Sequence, residues 1–347
     1  RLIDAVGYKA DVMRFLSMKC GSGTNKLNLI SVRDFLGSYA SSRYIDNKNQ
    51  FSMVQSLDKP NGYIAVVYAD GQIYSAPSAS GLLSGKQQEI VSTSMIRHLE
   101  NLKSDSLVKG VVLRINSPGG DAYASEQICH AVTELNKVKP VVVSMGDYAA
   151  SGGYYIASNA SVIVAQPATI TGSIGIFGIA FTAEQLTAKL GLTSDCVKTN
   201  RYSDFGMFTR SMTPSEKALM QSYVNRGYNV FVERCSTGRN MSGEDIEKIA
   251  QGRVWSGRQA YDIGLVDTLG NVDLAISIAA DLAGDKELNR WVLRYPFKKT
   301  DMEKVSEFLT DIKGLNTRLS AKEILRENIE YLKRNSGVMA IMPQYGN

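Results

Sequence analysis

The stretch Val141-Val142-Val143-Ser144-Met145-Gly146-Asp147-Tyr148-Ala149-Ala150-Ser151-Gly152-Gly153-Tyr154-Tyr155-Ile156 decides how the chain folds. Its first five residues have the β-branched density of a buried strand. Small residues take over after Gly146, and Gly152 to Asn159 is compatible with a helix. Ser151 then stands where a strand turns into a helix. Its hydroxyl would lie at the mouth of a sheet and its N–H at the positive end of a helix. Two roles suit a serine there, helix N-cap or nucleophile.

Outward from this turn, strands and helices alternate. Gly110 to Ile115 reads as a strand, Tyr123 to Leu135 as a helix and Val162 to Ala165 as a further strand. This rhythm predicts an α/β fold with helices packed on a parallel sheet, and ligand sites at the carboxyl ends of its strands. Upstream, Tyr63 to Tyr68 reads as a strand, Ala69-Asp70-Gly71 as a turn, Gln72 to Tyr74 as a returning strand and Lys86 to Leu102 as a helix. Downstream, Thr213-Pro214-Ser215-Glu216 is a capping box with proline at the first helical position, and predicts a helix to Ser236. Ser242-Gly243-Glu244-Asp245 opens another, over Glu244 to Ala250. Leu293 to Asn335 carries charges of both signs on helical periodicity, broken at Pro296 and Gly314.

Composition narrows the function classes. The chain has 347 residues, 44% apolar and 21% charged, as in globular proteins. Its 39 basic and 34 acidic residues are interspersed, so no basic block argues for nucleic acid. Cys20, Cys129, Cys196 and Cys235 lie far apart without metal-ligand spacing. The most apolar stretch, Val162 to Phe181, is interrupted by Gln166, Pro167 and several Gly and Thr residues, and reads as buried strands and turns. The first residue is Arg1, so the natural start, with any targeting or anchoring segment, is expected upstream.

Three loops carry chemistry. Asn116-Ser117-Pro118-Gly119-Gly120 follows a strand, and its glycines leave backbone N–H groups uncovered, as an oxyanion requires. It also reads as an ordinary turn. The Ser151 turn is the second loop, and the two together set a trap for a carbonyl oxygen beside a nucleophile. The third is Thr171-Gly172-Ser173-Ile174-Gly175-Ile176-Phe177-Gly178, where hydroxyls sit among glycines; it reads either as a tight, buried turn or as a loop in which Ser173 orients a base. The only histidines are His98 and His130, and none follows Ser151. His130 lies in a predicted helix as a surface residue, so a Ser-His-Asp arrangement is poorly supported. A lysine whose pKa is lowered by burial can serve as base instead.

The chain also echoes itself. Arg1-Leu2-Ile3-Asp4-Ala5-Val6-Gly7 resembles Gly264-Leu265-Val266-Asp267-Thr268-Leu269-Gly270, with a helical stretch after each. Residues 1–20 are therefore expected to be the end of a preceding, similar module. Residues 21–57 read as a polar linker, 58–284 as the main module and 285–347 as a mostly helical C-terminal extension.

Four motifs in order, Asn116–Gly120 (NSPGG), Met145–Tyr155 (MGDYAASGGYY), Thr171–Gly178 (TGSIGIFG) and Gly252–Gly270 (GRVWSGRQAYDIGLVDTLG), resemble the signal peptide peptidase A (protease IV) family of serine peptidases. The resemblance covers Gly62 to Leu282. It implies a ClpP/crotonase-like spiral of ββα units. It implies Ser151 as nucleophile and an oxyanion hole at Gly119, Gly120, Ser151 and Gly152, with the N–H groups of Gly119 and Ser151 as donors. Ser173 matches a serine that hydrogen-bonds a catalytic lysine.

One departure stands out. Where one-module members have that lysine, this chain has Ser203, and Lys198 is the nearest lysine. Two-module members take the lysine from the first module and the serine from the second, so the chain resembles a second module whose base lies in a missing first one. The resemblance further implies no metal or organic cofactor, side pockets for residues of cleaved signal peptides, a homo-oligomer, and a catalytic part facing the periplasm at a bacterial inner membrane. Two other readings remain open. One is a crotonase-type acyl-CoA enzyme, in which Ser151 would be dispensable. The other is a catalytically silent scaffold half.

Overall fold

The computed structural model describes residues 7–19, 62–77, 89–284, 292–294 and 337–341. The chain divides into two compact units, Arg1–Lys59 and Pro60–Asn347. In the first, α1 (Lys9–Lys19) is the helix expected after the N-terminal echo, and Tyr8 N–H donates to the Asp11 carboxylate at 2.9 Å to close its first turn. The echo's residues 1–6 and the linker 21–57 lie outside the described residues.

The second unit is built on a parallel sheet. Its central strands are β1 (Tyr63–Asp70), β4 (Val108–Ser117) and β6 (Val141–Ala150). β4 lies between the other two, pairing Val66 with Val112 and Leu113 with Val143. β6 then serves two neighbours along one edge. Val142–Ser144 pair with β7 (Val162–Ala165), and Tyr148–Ala150 pair with β8 (Ile170–Gly172). The strand read from Val141 to Met145 therefore continues to Ala150, directly before Ser151. Its second half lacks β-branched density, so periodicity alone ended it early; the ladder to β8 keeps it extended. At that border, β10 (Val254–Ser256) runs antiparallel to β8, while β11 (Thr268–Leu269) pairs in parallel with β7.

Both faces of the sheet are covered, which is why its strands read as unbroken apolar runs. Ala65, Val67, Leu113, Ile115, Val143 and Met145 face one core with α2 (Ser92–Ser104), α3 (Ala122–Asn136) and α4 (Gly152–Ala157). Ile64, Val66, Val112, Val142 and Val164 face the other, where α9 (Val272–Leu282) presents Ala275, Ile276, Ala279 and Ala280. A one-residue slip of β6 would exchange its two sets of side chains between these cores, so the register is strongly specified.

Three further helices line the border beyond β8. The longest, α6 (Pro214–Arg239), starts with the expected Thr213–Glu216 capping box. It is followed by α7 (Gly243–Ile249), which Ser242 caps, and α8 (Gly257–Asp262). Between β8 and α6 lie β9 (Phe177–Ile179) and the short α5 (Glu184–Lys189), none of whose residues is buried.

One expectation changes. β2 (Gln72–Tyr74) is no returning hairpin partner of β1. It leaves the main sheet and pairs in parallel with β3 (Glu89–Val91) and with β5 (Gly119–Asp121). β1 stays in register with β4 as far as Asp70–Asn116, and Gly71, at φ 96°, continues that ladder by donating its N–H to Asn116 O at 2.9 Å, which directs the chain away from β1. Of the extension read as mostly helical, the described residues form two short strands, and the rest lies outside the described residues. β12 (Val292–Arg294) runs parallel to β1, and β13 (Gly337–Ile341) joins the second sheet, in the order β3-β2-β5-β13-β9.

Candidate active site

Ser151 sits between β6 and α4 with φ 53° and ψ −115°, and is 1% exposed. A residue with a Cβ is strained there, typically by about 1–3 kcal/mol. Such strain persists only where surrounding bonds hold it, and these are visible. Ser151 N–H donates to Gly172 O at 2.8 Å, and Ser151 O accepts from Tyr155 N–H at 2.8 Å. Thr171 Oγ1 donates to Ala149 O, and Thr169 Oγ1 to Gly146 O, both at 2.7 Å. Although Ser151 is at the N-cap position, its hydroxyl makes no capping bond. It points instead toward Gly175 O, at a long 3.5 Å.

The expected oxyanion donors separate. Ser151 N–H donates to Gly172 O, where the β6–β8 ladder runs up to the turn. Gly119, at φ 104°, donates to the Ser117 hydroxyl at 3.1 Å, a local partner that can rotate away. Gly152 is the first residue of α4, where the N–H has no acceptor within the helix. Gly120 abuts Ile73, whose carbonyl oxygen lies 2.1 Å from where a Cβ would stand. The Ser117 and Ser151 loops are clamped together: Ser117 O lies 2.6 Å from a Cβ built on Gly153, and Asn116 Oδ1 accepts from Tyr148 N–H at 3.1 Å.

Ser173 is 4% exposed, has φ 49° and donates its N–H to Arg253 O at 2.7 Å. That bond couples the third loop to the fourth motif, as does Gly252 N–H to Ile174 O at 2.9 Å. His98 is on α2 and His130 on α3. Lys198 donates to both carboxylate oxygens of Asp204 at 3.0 Å, and Ser203 lies on an exposed turn with its hydroxyl on Asn200 O. The ammonium nearest in sequence to the expected base position is thus committed to an ion pair. Beside β9, Ile176, Phe177, Met212, Met220 and Val224 line a groove of about 390 Å³ of mixed character, with Lys217 and Gln221 in its wall.

Sequence reasoning missed two supporting clusters. Tyr155 stacks on Phe231 with ring centroids 4.0 Å apart, and its hydroxyl donates to Glu126, which also accepts from Arg234. This cluster ties the helix after Ser151 to α3 and α6. The only signal was a glutamate on the inward half of a predicted helix. The second cluster fixes the segment before α6: Arg210 bridges the buried carboxylates of Asp204 and Glu216.

The Arg210 guanidinium, helped by Thr213, holds the Glu216 carboxyl down to about 2. An acid depressed in the folded state adds stability above its ordinary range near 4.5 and loses it as pH falls through the folded value. The first turn of α6 is therefore expected to keep its amide protection to about pH 3 and to open below that. In Arg210→Ala the opening is expected at higher pH. Hydrogen exchange at Glu216 to Met220 across this range checks both.

Comparison with known proteins follows this geometry. The model of peptidase family S49 matches residues 133–286, and that of Clp protease matches residues 78–187. Protease 4 of Salmonella typhi is 38% identical over 296 residues, 85% of this chain and 44% of the relative. The chloroplastic serine protease SPPA of Arabidopsis thaliana is 36% identical over 221 residues, 63% of this chain and 32% of the relative. A putative protease of Methanocaldococcus jannaschii is 38% identical over 221 residues, 63% of this chain and 70% of the relative. The chain thus spans less than half the length of the first two. Among solved structures, a ClpP1 mutant from Listeria monocytogenes aligns over 61% of this chain and 94% of its own at 17% identity and a TM-score of 0.38. The α/β fold is of the Clp protease type.

Proposed function

Because the chain belongs to peptidase family S49, we propose that it is the nucleophile-bearing module of a serine endopeptidase that works with a lysine from a preceding module. The observation that carries this reading is the buried, strained Ser151, whose hydroxyl is excused from capping. In this scheme Ser151 Oγ attacks a peptide carbonyl as the lysine takes its proton. The lysine returns the proton to the departing amine, and water then hydrolyses the acyl-enzyme. Gly152 N–H receives the developing oxyanion together with Gly119 N–H, once the Ser117 hydroxyl gives way. Ser173 orients the incoming lysine. Remnant signal peptides would be the substrates, with Ile176, Met212, Met220 and Val224 of the groove beside β9 available to an apolar side chain. The module would face the periplasm at a bacterial inner membrane, within a homo-oligomer.

The split base is tested by hydrolysis of an apolar, signal-peptide-like substrate. The 347-residue chain alone is expected to turn over at least about 10³-fold more slowly than the full-length protein containing the preceding module. Lys198→Ala in the full-length protein is expected to leave kcat/KM within about threefold. Full activity of the chain alone, lost in Lys198→Ala, would place the base in this chain. A crotonase-type thioester reaction would survive Ser151→Ala, and a silent scaffold half would leave the full-length protein unaffected by it.

A further inference from the structure

Ser151 is held in its strained conformation from both sides of its own backbone. Its N–H donates to Gly172 O and its carbonyl accepts from Tyr155 N–H, each at 2.8 Å. The first hold comes from the end of β8, which is fixed by its ladder to β6. The second comes from α4, a helix of only six residues. A helix that short is not stable by its own hydrogen bonds, so its direction is set by what grips its side chains. If α4 turned, Tyr155 N–H would swing away, and the restraint on ψ of Ser151 would go with it.

Tyr155 is where α4 is gripped. Its ring lies on that of Phe231 of α6, with centroids 4.0 Å apart and an interplanar angle of 4°. Such a stack fixes the plane of a ring but not its position within the plane. The hydroxyl removes that freedom by donating to Glu126 Oε2 at 2.7 Å, on α3. The same carboxylate accepts from Nε and Nη2 of Arg234, at 3.2 and 2.9 Å, one turn after Phe231 on α6. One carboxylate therefore joins three helices at one phenol. Burial, with the Glu126 charge beside it, pushes the Tyr155 phenol above its ordinary range, so it remains the donor in this bond. A bond to a charged acceptor is roughly twice as strong as a neutral one. Farther along, α6 closes on the end of α4 as backbone against backbone, with Ser158 O 2.1 Å from a Cβ built on Gly238.

We infer that Tyr155, Glu126 and Arg234 are positioning residues for the nucleophile. The Arg234–Glu126 pair fixes the Tyr155 hydroxyl, Tyr155 fixes α4, and α4 holds the Ser151 carbonyl in the strained turn. All three act through Ser151. The inference deepens the peptidase reading and rests on it for the role of Ser151. It requires the loss to fall on kcat, because the aim of the attacking oxygen changes while the surfaces that bind a peptide do not.

Two measurements on the full-length protein test it. In the first, Tyr155→Phe keeps the ring on Phe231 and loses the hydroxyl. It is expected to lower kcat at least about tenfold with KM within about twofold of the parent. Glu126→Gln keeps an oxygen for the phenol and is expected to retain at least about threefold more kcat than Glu126→Ala. The second measurement needs no turnover. Ser151→Gly relieves the strain at φ 53°, and the rise in urea midpoint that it produces measures that strain. In a Tyr155→Phe background the same substitution is expected to give less than about half that rise, because Ser151 has already relaxed. A side chain that only stabilised the fold would lower the midpoint and leave both kcat and this difference unchanged. A smaller loss of kcat in Tyr155→Phe, no advantage of Glu126→Gln over Glu126→Ala, or an equal rise in the two backgrounds would overturn the inference. The two readings fail separately. If the unaltered full-length protein hydrolyses no peptide, the peptidase reading falls, and the urea comparison still decides whether the three residues hold Ser151.

Discussion

Ser151→Ala in the full-length protein is expected to lower kcat/KM for peptide hydrolysis by about 10⁴-fold or more while leaving the folded structure almost unchanged. The loss is large because, in the proposed scheme, the acyl bond would form on this hydroxyl. The structural effect is small because the only hydrogen bond removed is the 3.5 Å contact to Gly175 O, close to the limit at which such a bond counts. Unfolding free energy is expected to shift by less than about 1 kcal/mol. A companion change separates strain from chemistry. Ser151→Gly removes the Cβ that makes φ 53° and ψ −115° costly, so it is expected to be as inactive as alanine but more stable than the parent by about 1 kcal/mol. Steady-state kinetics and urea titration of the same three proteins check the pair. Activity within tenfold of the parent in Ser151→Ala would exclude Ser151 as nucleophile.

The second large effect is on folding. Gly120→Ala adds one methyl group, yet its Cβ would stand 2.1 Å from Ile73 O and 2.6 Å from Ile73 N. Both obstacles are backbone atoms of β2, which pairs there with β5, so no side-chain rotation relieves the overlap. The β2–β5 contact must part, at an expected cost of about 3 kcal/mol or more. Because β5 also carries the glycine turn of the candidate site, peptide hydrolysis should fall with it. Gly243→Ala is the control. It sits at the start of α7 with nothing within 4 Å of a new Cβ, and is expected to be neutral or stabilising by up to about 1 kcal/mol. Chemical denaturation of both variants decides. Equal stabilities would mean that β2 does not press on Gly120 as described.

Much of this architecture was legible because its causes are local. The apolar runs of β4, β6 and β7, the period of α3 and the Thr213–Glu216 capping box each depend on residues within a few positions of one another. The Ser151 turn was legible for the same reason, since an apolar run ending in small residues marks a strand giving way to a helix. What escaped depends on partners far along the chain. Tyr155 meets Glu126 from 29 residues away, and Arg234 reaches the same carboxylate from 108. No periodicity connects such positions, and only the packing of α3, α4 and α6 around one core brings them together. The misread hairpin has a similar origin. The Ala69-Asp70-Gly71 turn was visible, but whether β2 paired with β1 or left for another sheet depended on its distant partners β3 and β5.

The sequence by itself therefore determined the order of strands and helices, the parallel sheet and the serine at its mouth, because propensity, hydrophobic period and capping act over one or two turns of chain. Tertiary structure alone decided how the site is wired. Ser151 N–H is spent on Gly172, Lys198 on Asp204, and the Tyr155 hydroxyl on Glu126. Each is a competition among donors and acceptors for partners within about 3 Å. The winner is set by which backbones the folded sheet brings side by side.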